Sequence, residues 1–125
     1  MKTTLYLCQT CRMGQPVPDD GIVPGARLLD AVRAQGVPED VRIEPVSCLS
    51  ACGQGCAVAL SRPGSWTYVQ GALTPEDAHE VVVMARQYAE SADGIVPWRE
   101  RSVLFRKNTV ARIPPFPVLF SAKEP

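Results

Sequence analysis

Five cysteines in two clusters are the residues of this chain whose types and spacing could do chemistry. Cys8 and Cys11 form a C-x2-C pair, and after thirty-six intervening residues Cys48, Cys52 and Cys56 follow at intervals of four. Two clusters that a fold brings together can offer four thiolates to one soft metal centre. Thiolates select zinc, copper(I) or iron–sulfur. The spacing therefore predicts a metal or cluster site.

Composition limits where such a site would work. The segment Lys2 to Leu7 is too short and too polar for the apolar part of a signal peptide, so we expect a cytoplasmic protein with reduced thiols. No apolar run approaches the roughly 20 residues that a membrane span needs. The formal net charge is zero, which predicts no nucleic-acid binding. No set of residues suggests hydrolysis or group transfer, so we do not expect an enzyme.

The charge balance hides an asymmetry along the chain. Residues 1–94 carry seven Lys and Arg against eleven Asp and Glu, a net charge of −4, whereas residues 95–125 carry six against two, a net charge of +4. The second segment is also rich in proline. We predict a mildly acidic domain over 1–94 and a basic, extended C-terminal extension over 95–125.

Hydrophobic patterns predict the elements that must position the cysteines. Alternation and β-branched residues favour strands, whereas Pro24, Gly36 and the Thr74-to-Asp77 capping signal mark helix ends. The predicted order is β-α-β-β-α, an α/β sheet flanked by helices, of thioredoxin-like or related type. The predicted strands cover 3–7, 41–46, 57–60 and 66–70, and the predicted helices cover 24–35 and 74–93. Each cysteine cluster follows one of the first two strands, so parallel neighbouring strands would bring both to one edge.

A family resemblance indicates which metal centre the cysteines would bind. Residues 47–53 (SCLSACG) and Tyr68 leading to 73–76 resemble the thioredoxin-like [2Fe-2S] ferredoxins, whose pattern is two cysteines after the first strand and a later C-x3-C. The resemblance implies a thioredoxin-like fold and a [2Fe-2S] cluster. It implies the ligands Cys8, Cys11, Cys48 and Cys52. The first pair is more closely spaced than in most members, and Cys56 is left as an alternative ligand.

Such a cluster would make the protein a one-electron carrier for a redox partner protein. Its sulfides need hydrogen bonds, which the backbone amides of residues 49–55 could supply. Its added charge on reduction would be stabilised by those amides and by Arg12. Because related thioredoxin-like ferredoxins are dimers, the resemblance also implies a homodimer.

Nearly the whole chain is similar to a bacterial family of predicted metal-binding proteins, DUF1636. The similarity runs from Cys8-Gln9-Thr10-Cys11-Arg12 to 111–115 and includes 64–68 and 94–99. The family is associated with cobalamin-biosynthesis gene neighbourhoods. The resemblance thus implies a partner enzyme in cobalamin metabolism.

Two other uses of the same thiols stay open. Four cysteines could close a structural zinc site or serve a metallochaperone, without electron transfer. Cys8 and Cys11 could also form a redox-active dithiol. A working dithiol needs its first cysteine at the start of a helix, and residues 12–16 (RMGQP) do not sustain one.

Overall fold

The protein folds into a five-stranded sheet with helices, as described by a computed structural model over residues 2–49 and 55–115. The strands are β1 (Thr3–Cys8), β2 (Val41–Val46), β3 (Cys56–Ser61), β4 (Thr67–Leu73) and β5 (Thr109–Ile113). The helices are α1 (Pro24–Gln35), α2 (Ala78–Glu90) and α3 (Val103–Lys107), with 3-10 turns at Pro75–Asp77 and Trp98–Glu100. Within these residues no helix has the length and apolarity that crossing a membrane requires.

The sheet order is β2-β1-β3-β4-β5, and it is mixed. β1 and β2 are parallel neighbours, with Cys8 opposite Val46 at their carboxyl ends, whereas the other pairs are antiparallel. Since β1 and β2 run in the same direction and in register, the chain leaves both at one edge of the sheet. The α/β class and the predicted order β-α-β-β-α are confirmed.

The core forms where the two long helices pack against each other and against the sheet. The apolar face of α1 is buried through Leu28, Leu29 and Val32. On α2 the large side chains Met84 and Tyr88 are fully buried. Burying large apolar side chains at these positions is the main term that holds both helices on the sheet.

The start of the last long helix follows the predicted capping pattern. The Thr74 amide donates to the Asp77 carboxylate at 2.8 Å, and the Thr74 hydroxyl donates to the same oxygen at 3.1 Å. The Pro75–Asp77 turn then leads into α2. Satisfying an otherwise unpaired amide sets the entry angle of the helix.

The C-terminal segment adds structure that the sequence analysis did not predict. β5 pairs with β4 as an edge strand, and α3 buries Phe105 edge-on against Tyr68, with 5.2 Å between ring centroids. The Arg101 guanidinium donates to the Tyr68 hydroxyl at 2.9 Å and to the Val96 carbonyl at 2.7 Å. The described part of the segment, through residue 115, is thus packed onto the sheet. The division into two domains at residue 94 stays a prediction.

Tyr88 makes the stability of the fold depend on alkaline pH. Burial raises the pKa of the Tyr88 hydroxyl to about 12, and the positive charge of Arg62 only partly offsets this. An unfolded tyrosine ionises near pH 10, so between about 10 and 12 the folded state holds a proton that the unfolded state has lost. The free energy of unfolding should therefore fall as pH rises through this window. In Tyr88→Phe the free energy of unfolding, measured with urea, should fall less steeply between about pH 9 and about pH 11.5. An equal dependence on pH in the variant and the original protein would contradict the role given to Tyr88.

Candidate metal centre

The first cysteine pair is buried at the carboxyl end of β1. Cys8 is the last residue of the strand and is 1% exposed, and Cys11, three residues later, is 2% exposed. The Gln9 amide donates to the Val46 carbonyl at 2.9 Å, which ties the start of this loop to the end of β2. The prediction that strand ends deliver the first pair to the shared edge of β1 and β2 is confirmed.

Both thiols contact the loop that carries the second cluster. The Cys8 thiol donates to the Ser47 carbonyl at 3.7 Å, and the Cys11 thiol donates to the Gly55 carbonyl at 3.1 Å. The Thr10 hydroxyl also donates to the Ser47 carbonyl. Ser47 and Gly55 stand at the two ends of residues 48–54, so the first pair lies between the ends of the second cysteine loop.

One backbone amide is aimed at a cysteine sulfur. The Met13 amide donates to Cys11 Sγ at 3.3 Å, and the turn that places it has φ of +56° at Met13 and +73° at Gly14. The Gln15 amide closes this turn on the Arg12 carbonyl at 3.0 Å. An N–H directed at the sulfur stabilises a thiolate. Sequence reasoning missed this amide, although the glycine after Met13 was a turn signal.

The amino-terminal end of α1 packs against the same loop through a glycine. The Gly25 amide donates to the Cys11 carbonyl at 3.0 Å. A methyl group on Gly25 would lie 2.5 Å from the Cys8 carbonyl oxygen and 3.0 Å from the Cys11 nitrogen. Only glycine lets the helix approach this closely. The partial positive charge of the helix end thus lies beside the cysteine loop.

The remaining cysteines occupy different environments. Cys48 is exposed, two residues after the end of β2. Cys56 is the first residue of β3, opposite Leu73 of β4, and is fully buried in the core. Cys52 lies outside the described residues, as do the amides of residues 50–54. The ligand set Cys8, Cys11, Cys48 and Cys52 therefore stays a prediction, with Cys56 as the alternative.

The donors present fit a soft metal centre in their chemistry. Three predicted ligands, Cys8, Cys11 and Cys48, are thiols that follow β1 and β2 at the same edge, and thiolates are what iron–sulfur clusters and zinc bind. Among residues 2–49 and 55–115, no three His, Cys, Asp or Glu side chains come together as a metal site requires. Among the described residues Cys48 is therefore not grouped with Cys8 and Cys11, and Cys52 lies outside them.

The fold is of the thioredoxin-like class. A solved structure of a thioredoxin-like [2Fe-2S] ferredoxin from Aquifex aeolicus superimposes with a TM-score of 0.55, over 93% of this chain and 97% of the ferredoxin, at 20% sequence identity. The predicted thioredoxin-like class of fold is confirmed.

The chain belongs to the DUF1636 family, described as proteins of unknown function, whose model matches residues 5–115. The predicted family is thus confirmed. No curated protein matches this sequence.

Proposed function

We propose that this protein is a one-electron carrier that holds a [2Fe-2S] cluster on Cys8, Cys11, Cys48 and Cys52. When bound, the cluster would supply reversible one-electron chemistry. The observation that carries the proposal is the contact of two buried thiols with both ends of the second cysteine loop. The likeness of the whole fold to a ferredoxin supports it.

The residues around the first pair have roles that suit such a centre. Cys8 and Cys11 would bind from the buried side, where the packing of α1 excludes water. The Met13 amide and the start of α1 would stabilise negative charge on the sulfurs. Cys48 would place one ligand at the surface, where a partner protein can approach.

The test is the metal content of the protein purified without oxygen. We expect two irons and two sulfides per chain, absorption at roughly 400–500 nm from thiolate–iron charge transfer, and an EPR signal after reduction by one electron. A colourless protein that holds zinc would overturn the proposal and make the thiols a structural or chaperone site. Electron delivery should be assayed first with an enzyme of cobalamin metabolism, because the family resemblance implies such a partner.

A further inference from the structure

An irregular step in β4 lies beside the cysteine loop. Cys56 pairs with Leu73 and Val58 pairs with Gln70, so two residues of β4, Gly71 and Ala72, stand opposite one residue of β3. This is a β-bulge, a feature that often adjoins functional sites. Ala72 has a φ of +53°, a left-handed conformation that is strained for a non-glycine residue. Something must hold the backbone in this conformation.

Asn108, between α3 and β5, holds both bulge residues. Its side-chain amide donates to the Gly71 carbonyl at 2.9 Å and to the Ala72 carbonyl at 3.1 Å. The backbone carbonyl of Asn108 accepts from the Gly71 amide at 2.8 Å, and the backbone amide of Asn108 donates to the Leu104 carbonyl at 3.0 Å. One side chain of the C-terminal segment thus satisfies the carbonyls that the bulge turns away from the β3 ladder.

The bulge in turn supports Gly55. A methyl group on Gly55 would lie 2.7 Å from Ala72 Cα and 2.9 Å from the Leu73 carbonyl oxygen, so the two backbones are in direct contact. The lack of a side chain at Gly55 thus lets its backbone approach β4 closely. The Gly55 carbonyl accepts the hydrogen bond from the buried Cys11 thiol at 3.1 Å.

We propose that Asn108 is a positioning residue for Cys11, acting through the bulge and Gly55. The importance of this for function rests on the proposed role of Cys11 as a ligand, but the mechanical connection does not. Removing the Asn108 donors leaves two carbonyls without their partner and frees Ala72 to leave its positive φ. Gly55 then loses its packing against Ala72, and the Cys11 thiol becomes more accessible to solvent.

The experiment measures alkylation of single cysteines in the chemically reduced, metal-free chain, with iodoacetamide at fixed pH and peptide mass spectrometry. Asn108→Asp keeps the shape of the side chain but presents a carboxylate oxygen to the carbonyls. We expect Cys11 to react about tenfold faster, the change in local opening that follows from losing the two partly exposed hydrogen bonds of the Asn108 side chain. Cys8 should keep its native rate, because its carbonyl partner is Ser47.

Two further variants separate this connection from a general loss of stability. Arg112→Ala removes the stacking on Trp66 at the other end of β5, where the guanidinium lies 4.9 Å from the ring centroid, and should leave the Cys11 rate unchanged. Ala72→Gly, added to Asn108→Ala, should restore the slow rate, since glycine takes a positive φ without strain. If Asn108→Asp does not fold, Asn108→Ala replaces it.

A native Cys11 rate in the folded Asn108 variant would overturn the proposal, as would equal acceleration of Cys8 and Cys11. Because the readout is made on thiols without metal, it stands even if the protein proves to hold zinc. Failure of this inference and failure of the ferredoxin proposal are thus separately visible.

Discussion

Under the proposed function, replacing Cys11 with serine is expected to remove nearly all of the iron and the visible absorption that the cluster would supply. A serine oxygen is a hard, weak ligand for an iron–sulfur cluster, and it loses the N–H···S contact from Met13. Burying the serine hydroxyl costs about 1–3 kcal/mol when it has no hydrogen-bond partner. The variant should still fold, because the Gly55 carbonyl can accept a hydrogen bond from the hydroxyl. Iron and sulfide counted per chain, beside urea unfolding, check both parts.

Cys56→Ser is the matched control for this prediction. Cys11 is 2% exposed and Cys56 is 0% exposed, so each substitution buries a hydroxyl in place of a thiol. Their effects on the free energy of unfolding should be similar, but Cys56→Ser should retain iron. If Cys56→Ser loses iron and Cys11→Ser retains it, Cys56 replaces Cys11 in the proposed ligand set.

Gly25→Ala should have the second largest effect on cluster retention, although residue 25 carries no functional group. The new methyl would lie 2.5 Å from the Cys8 carbonyl oxygen, so α1 or the cysteine loop must move. Forced contacts of this kind typically cost about 1–3 kcal/mol. Because the displaced backbone carries Cys8 and Cys11, we expect weaker cluster retention in addition to lower stability. The rate of iron loss to a chelator measures the first, and urea unfolding measures the second.

Gly36→Ala, at the other end of the same helix, separates these two effects. Gly36 has a φ of +83° with a ψ of 145°, a region that glycine alone adopts readily, and no neighbour lies within 4 Å of an added methyl. Its substitution therefore costs strain, about 1–3 kcal/mol, without touching the cysteines. It should lower stability to a similar degree and leave iron loss unchanged. Equal iron loss from the two variants would mean that Gly25 acts only through the stability of the fold.

Elements marked by local signals were predictable to the residue. α1 begins at Pro24 and ends before Gly36, as predicted, because proline and glycine limit the backbone whatever surrounds it. β2 spans 41–46, as predicted from the alternation of its apolar and polar residues. β5 was not predictable. Four of its five residues are exposed, so it lacks the alternation of apolar and polar residues that marks a half-buried strand.

The predicted site divides in the same way. Cys8, Cys11 and Cys48 were predicted as ligands from type and spacing, which are properties of the sequence alone, and that role stays a prediction. Gly25, Met13 and Asn108 were not found as contributors, because their roles come from backbone atoms or from partners far away in the chain.

The sequence by itself determined the soft-ligand chemistry, the family and the order of the main elements, since these depend on residue types and short-range patterns. Only the tertiary structure decided that β1 and β2 are parallel neighbours and that α1 can approach the loop after Cys8. It also decided that the C-terminal segment reaches β4 through Asn108. These are long-range contacts, and one chain's local preferences do not specify which distant backbone each segment meets.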